Sequence, residues 1–243
     1  MNKLLLQLLF TLFTSILFFA CDDPCEDVIC ENGGTCIEGI CDCPDQFIGS
    51  QCEIDLNQIQ FYLDSGETPK ELYNDGVPVE YLYGKNYLGG LIFYFDSLDG
   101  SGLVINMTVL SEYAMWGCLG TDIIGLDNVA WESWIIPECP GAEVGDGYTN
   151  TMRILDETFG CDEEGIPAKL CRQLGEDWFL PSVNELHQVY LNLILNGHVE
   201  IIGRHWSSTE ANEDGAWVHA VSGDFRASFI KSTPKLVRAV RAF

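Results

Sequence analysis

Eleven cysteines and four histidines are the side chains best suited to chemistry in this 243-residue chain. An odd number of thiols cannot all pair, and Cys21 stands apart, directly behind an apolar run. Cys25, Cys30, Cys36, Cys41, Cys43 and Cys52 follow the spacing C-x4-C-x5-C-x4-C-x-C-x8-C. Four-ligand zinc coordination does not account for six clustered thiols. So short a segment cannot bury a sufficient core, which makes cross-linking the expected use, although spacing alone leaves fifteen pairings open. The scattered Cys118, Cys139, Cys161 and Cys171 allow three pairings. A Cys161–Cys171 bridge would tie two predicted helices locally and leave Cys118–Cys139, so these two pairs are the expectation.

His187, His198, His205 and His219 form no close metal signature such as His-Glu-x-x-His, so no metal site is expected. Three should be surface or hydrogen-bonded histidines and one should lie beside a packed Trp206. His187 and Glu185 are two residues apart on a helix and do not share a face. Asp127 with Glu132, and Glu210 with Asp214, are acid–base pairs in principle. Glycoside hydrolysis needs its carboxylates at a defined separation across a cleft, which spacing does not supply. No catalytic residue and no cofactor is expected, and structural calcium has no specific motif here.

Lys3, the apolar Leu4–Phe19 and the small Ala20 read as an export signal over 1–20, too short for a membrane-spanning helix. Phe18-Phe19-Ala20-Cys21 resembles a bacterial lipoprotein lipobox, which implies lipid on Cys21 and a short lipidated tether over 21–24. The alternative is a secreted chain whose Cys21 pairs with another molecule. Asp22, Asp23, Glu26 and Asp27 resemble the surface-export signals of Bacteroidetes lipoproteins. The expected location is therefore the cell envelope, on the outer membrane and exposed at the surface, with the membrane itself as a partner through the lipid. A formal charge of −25 repels phosphate backbones, so no nucleic acid partner is expected.

Within 25–52, Cys30-Glu-Asn-Gly-Gly-Thr-Cys36, Cys41-Asp-Cys43-Pro and Gly49-Ser-Gln-Cys52 resemble an EGF-like domain. That resemblance implies Cys25–Cys36, Cys30–Cys41 and Cys43–Cys52. Asp22 and Asp23 partly match the acidic start of calcium-binding modules, but Ile37-Glu-Gly-Ile40 lacks their second element. A compact spacer is the expected role.

Residues 53–85 are a linker or a helical cap on the domain that begins near residue 86. Ile59, Phe61 and Leu63 alternate as in a short strand, and Thr68-Pro69 starts a helix ending near Asn74-Asp-Gly76. Leu91–Phe95 and Leu103–Met107 flank Asp-Gly and Ser-Gly turns and predict a hairpin. Helices are predicted over 151–159, over 167–174, and from a Ser182/Glu185 capping box to about Leu195. Strands are expected over 217–221, 225–230 and 237–243. Helices placed before a strand-rich end indicate an α+β domain rather than a parallel nucleotide-binding sheet.

Gly-Gly-Leu-Ile-Phe-Tyr at 89–94, Trp116-Gly-Cys-Leu-Gly-Thr121, Asp177-Trp-Phe-Leu-Pro-Ser182 with Asn184-Glu-Leu186, His205-Trp-Ser-Ser-Thr-Glu210 and Val237-Arg-Ala-Val-Arg-Ala-Phe243 carry a second resemblance. Over 86–243 they resemble the Lcl C-terminal (DUF1566) family, which implies a fold similar to C-type lectins and formylglycine-generating enzymes. The resemblance brings no general catalytic mechanism. One adhesin with such a domain is associated with glycosaminoglycans, a role that the acidic charge argues against transferring. Trp178, Leu180, Trp206 and Trp217 are expected in the core, Arg238 and Arg241 in internal ion pairs, and Ser207, Ser208 and Thr209 in local turn bonds. The loops 120–134 and 209–223 are the expected contact surfaces, with Trp131, Trp134, Glu210, Asn212 and Asp214 as ligand contacts. The expected function is noncatalytic binding of an extracellular or envelope glycan or protein. The alternative is a structural envelope protein without a dedicated small ligand.

Overall fold

The computed structural model describes residues 24–130 and 140–243 and divides into two compact units, one through Glu53 and one from Ile54 to Phe243. Trp131, Glu132, Trp134 and Cys139, like Cys21, lie outside the described residues.

In the first unit, β1 (Thr35–Ile37) and β2 (Ile40–Asp42) pair antiparallel. Glu38 and Gly39 join them, both at positive φ, as a tight two-residue hairpin turn requires. A short strand β3 (Phe47–Ile48) comes next. Disulfides join Cys25–Cys36, Cys30–Cys41 and Cys43–Cys52, the pairs that the EGF-like resemblance implies. Packing around them is close: a side chain on Gly34 would meet the Cys52 sulfur at 2.6 Å. With little other buried apolar surface here, the cross-links carry the stability, on the order of 2–4 kcal/mol each.

The second unit is a mixed α+β domain. It opens with β4 (Ile54–Asp55), α1 (Ile59–Ser65) and α2 (Pro69–Asn74), then β5 (Asn86–Tyr87), β6 (Gly90–Phe95), β7 (Gly102–Ile105) and β8 (Ser111–Ala114). Helices α3 (Asp146–Ile154) and α4 (Pro167–Arg172), strand β9 (Trp178–Phe179) and helix α5 (Val183–Val189) come next, α5 running on as a π-helix over Tyr190–Ile194. The chain ends in β10 (Arg204–Asn212), β11 (Gly215–Ala220), β12 (Phe225–Ile230), β13 (Lys235–Val237) and β14 (Val240–Ala242).

One sheet has the order β5-β6-β7-β14-β9, with every pair antiparallel. The other has the order β12-β11-β10-β13-β8, antiparallel except for β10 beside β13. The last residues thus cross from one sheet to the other between Val237 and Val240.

Several local expectations shift. The strand-like piece at 59–63 is helix α1: Ile59 and Leu63, one turn apart, are buried, whereas Phe61 is 63% exposed. Ile59 and Leu63, at i and i+4, fit a helix as well as a strand, so the alternation does not decide between them over so short a span. The capping boxes of α2 (Thr68, Glu71) and α5 (Ser182, Glu185) form as their spacing requires. Helix α3 begins earlier than predicted, at Asp146, whose carboxylate accepts the Gly141 and Glu143 amides and holds the preceding turn. It ends at Ile154, where Asp156 accepts the Thr158 and Phe159 amides and turns the chain.

The expected Cys118–Cys139 and Cys161–Cys171 pairs do not form. Cys118 bonds Cys161 instead, beside Trp116, and Cys171 is a buried free thiol. Pro167, Ala168 and Cys171 share the buried face of α4, which turns the Cys171 sulfur toward the Arg238 carbonyl at 3.8 Å and away from Cys161. Burial pushes this thiol's pKa up, which keeps it protonated and unreactive.

Strand β11 is covered on both faces. Ala216 and Val218 pack with Trp116, Ile154 and Trp206, while Trp217 packs with Val129, Ala142 and Val183. A third cluster joins Phe93, Ile105, Phe179 and Val240 of the first sheet to Leu186, Val189 and Leu193.

Candidate functional site: a polar cleft over a histidine pair

The site grows out of the register of α5 on β11. Side chains two apart on a strand share a face and stand about 7 Å apart, while residues four apart on a helix lie about one 5.4 Å turn apart. Val183 and Trp217 are in one apolar cluster, so the next position along each element brings His187 of α5 to His219 of β11. His187 Nδ1 lies 3.3 Å from His219 Nε2 and 3.3 Å from Asp224 Oδ1, in the turn that ends β11. Arg226, opposite His219 in the β11–β12 register, approaches the same Asp224 oxygen at 3.5 Å and donates to Asn184 Oδ1, also at 3.5 Å.

His219 is fully buried and His187 partly so. Burial lowers the His219 pKa to about 3, helped by His187 and Arg226. Burial also lowers that of His187, Arg226 adding to the effect and Asp224 opposing it. Both rings are therefore neutral at pH 7 and carry lone pairs. Tyr190 stacks on His187 with ring centroids 6.0 Å apart.

Above His187 opens a cleft of about 530 Å³, lined by Tyr94 of β6, Glu143, Asn184, His187 and Gln188 of α5, and Arg226 of β12. Two amides, a phenol, a guanidinium and a carboxylate give donors and acceptors around one concavity. Glu185 holds its floor. Fully buried, it accepts from the Ser182, Gly145 and Gly147 amides and so pins the 143–147 segment to α5. Burial raises its pKa to about 7 against those three hydrogen bonds.

Of the expected ligand contacts, Trp131 and Trp134 lie outside the described residues, and Glu210, Asn212 and Asp214 do not line this cleft. Glu210 is fully buried, 2.5 Å from the buried Lys231 ammonium, and neither lines the surface. Asn212 and Asp214 are exposed but form the β10–β11 turn, where Asn212 Oδ1 accepts the Asp214 amide. Most of 209–223 is strand rather than loop. Ser207 and Thr209 lie buried on the central strand β10, donating to the Trp217 and Gly141 carbonyls rather than closing turns. The acid–base pairing of Glu210 with Asp214 has no counterpart. Trp178, Leu180, Trp206 and Trp217 are buried. Arg241 meets Asp177 at 3.1 Å, whereas Arg238 donates to the Asn106 and Met107 carbonyls in place of an ion pair. His205 is buried beside Trp206, and burial with nearby Arg238 lowers its pKa to about 3, a backbone hydrogen bond at Gly203 opposing them.

Sequence reasoning missed Tyr94, Asn184, Gln188, Asp224 and Arg226, and left His187 and His219 apart. Only the offset of Val183 from His187, matched to that of Trp217 from His219, carried a signal, and it needs the packing of α5 on β11 to be read.

No protein-family model matches the chain, nor does any curated protein. A crystal structure of a fimbrial protein from Bacteroides ovatus aligns with 72% of this chain at 17% identity and a TM-score of 0.41. The alignment spans 42% of that protein's length.

Proposed function

We propose that the chain is a noncatalytic recognition lipoprotein of the cell envelope. It is held by lipid on Cys21, spaced from the membrane by an EGF-like module over 25–52, and binds through a C-type-lectin-like domain of the Lcl C-terminal kind over 86–243, with 53–85 as its helical cap. The observation that carries the reading is the open cleft rimmed by Tyr94, Glu143, Asn184, Gln188 and Arg226. Planar amides and a guanidinium beside an aromatic ring suit the hydroxyl and carboxylate groups of an envelope or extracellular glycan. The cleft replaces the 120–134 and 209–223 loops as the ligand surface.

Two measurements test this. The mature protein is screened against envelope glycans and surface proteins with and without calcium; saturable binding that Arg226→Ala and Asn184→Ala each weaken about tenfold is expected, which corresponds to about 1.4 kcal/mol. Absence of saturable binding, or binding indifferent to both changes, overturns the cleft as the ligand site. Palmitate labelling is expected to disappear in Cys21→Ala, and unchanged labelling refutes the anchor.

A further inference from the structure

We propose that His187 Nδ1, His219 Nε2 and Asp224 Oδ1 form a binding site for a zinc-class divalent transition metal, with its remaining coordination position open to the cleft. The three ligand atoms lie within 4.8 Å of one another. Zinc–nitrogen bonds of about 2.0–2.1 Å at tetrahedral angles place neighbouring ligand atoms about 3.3–3.4 Å apart. The His187–His219 and His187–Asp224 separations, 3.3 Å each, match that spacing.

Hydrogen bonding alone serves these groups poorly. His187 Nδ1 faces a carboxylate oxygen and the His219 Nε2 at once: as a donor it has one proton for two partners, and as an acceptor from His219 it turns its lone pair toward the carboxylate. His219 meets His187 through its Nε2. A cation between the three atoms uses all three lone pairs. Two imidazoles and one carboxylate suit zinc and its neighbours better than calcium or magnesium, which prefer an all-oxygen shell.

Three protein ligands leave one position free, as in zinc sites that bind an exogenous group. His187 lines the cleft, so that position opens where the proposed ligand enters. Arg226 shares the Asp224 oxygen and competes with a metal there. Metal binding would release its guanidinium toward the cleft, which favours an oxygen-rich or anionic ligand group. Metal binding itself does not depend on the glycan reading, and its test uses no glycan.

The experiment is zinc titration of the mature lipidated protein in detergent by calorimetry, with cobalt substitution read from its visible d–d bands. Expected is one saturable site giving a four-coordinate cobalt spectrum. Asp224→Asn and His187→Gln, both at partly exposed positions, are each expected to weaken zinc about 100-fold without changing the thermal transition of the metal-free protein. Arg226→Ala is expected to tighten it several-fold. No saturable binding, a site unaffected by either ligand change, or a loss in only one of the two variants overturns the three-ligand site.

Discussion

Glu210→Gln is expected to destabilise the protein heavily although it preserves shape. Glu210 and Lys231 are fully buried, with Oε1 and Nζ 2.5 Å apart. The carboxylate also accepts the Ile123 amide at 3.2 Å, and the ammonium donates to the Thr121 carbonyl at 2.7 Å while lying 4.7 Å from the Trp116 ring centre. The neutral amide leaves that ammonium with a carbonyl and an aromatic face in place of a counter-charge. Removing one partner of a buried pair costs about 3–5 kcal/mol. With a urea dependence of about 2 kcal/mol per molar, the midpoint should fall by about 2 M. Tryptophan fluorescence reports the transition with the disulfides intact, because Trp116 and Trp206 lie in the adjoining core. The double change Glu210→Leu with Lys231→Met removes both charges and should recover most of the loss. A Glu210→Gln midpoint within about 0.25 M of wild type, equivalent to the roughly 0.5 kcal/mol of an ordinary surface change, refutes the reasoning and returns Glu210 to the surface.

Stability should also fall as the solution is acidified. His205 and His219 are held neutral with pKa values of about 3, so their contribution is complete above the unfolded value of about 6.5 and is lost as pH drops below it. Glu185, raised to about 7, acts in the opposite direction between pH 7 and about 4.5, where the folded state holds the extra proton. From pH 6.5 to 5 the net loss is about 2 kcal/mol, roughly doubling in Glu185→Gln; urea unfolding at the two values checks it, and a flat or rising profile counts against it. Cys161→Ser should cost about 4 kcal/mol on a chain-entropy basis for a bridge of sequence separation 43. A non-reducing peptide map should link Cys118 to Cys161, and a Cys161–Cys171 peptide would refute the assignment.

Much of the local structure was legible in the residues. Thr68/Glu71 and Ser182/Glu185 announce helix starts because a cap is a bond between neighbours three apart. The hairpin at 91–105 is written by turn residues between β-rich runs. The six-cysteine module is readable because its cysteines are dense and their spacing resembles a known pattern. The strand-rich end and the α+β class rest on the same short-range rules.

What only the tertiary structure decided depends on which faces meet. Glu210 reads as an exposed acidic contact until Lys231, 21 residues on, is seen beside it in the core. Cys118 chooses Cys161 because α4 turns Cys171 inward, a matter of helix rotation that sequence distance does not contain. The histidines read as isolated because His187 and His219 are 32 residues apart and belong to different elements. Their convergence with Asp224 comes from the packing of α5 on β11. Short-range bonding and periodicity let the sequence name its elements; burial and charge pairing, set by contacts distant in the chain, place the cleft and the groups beneath it.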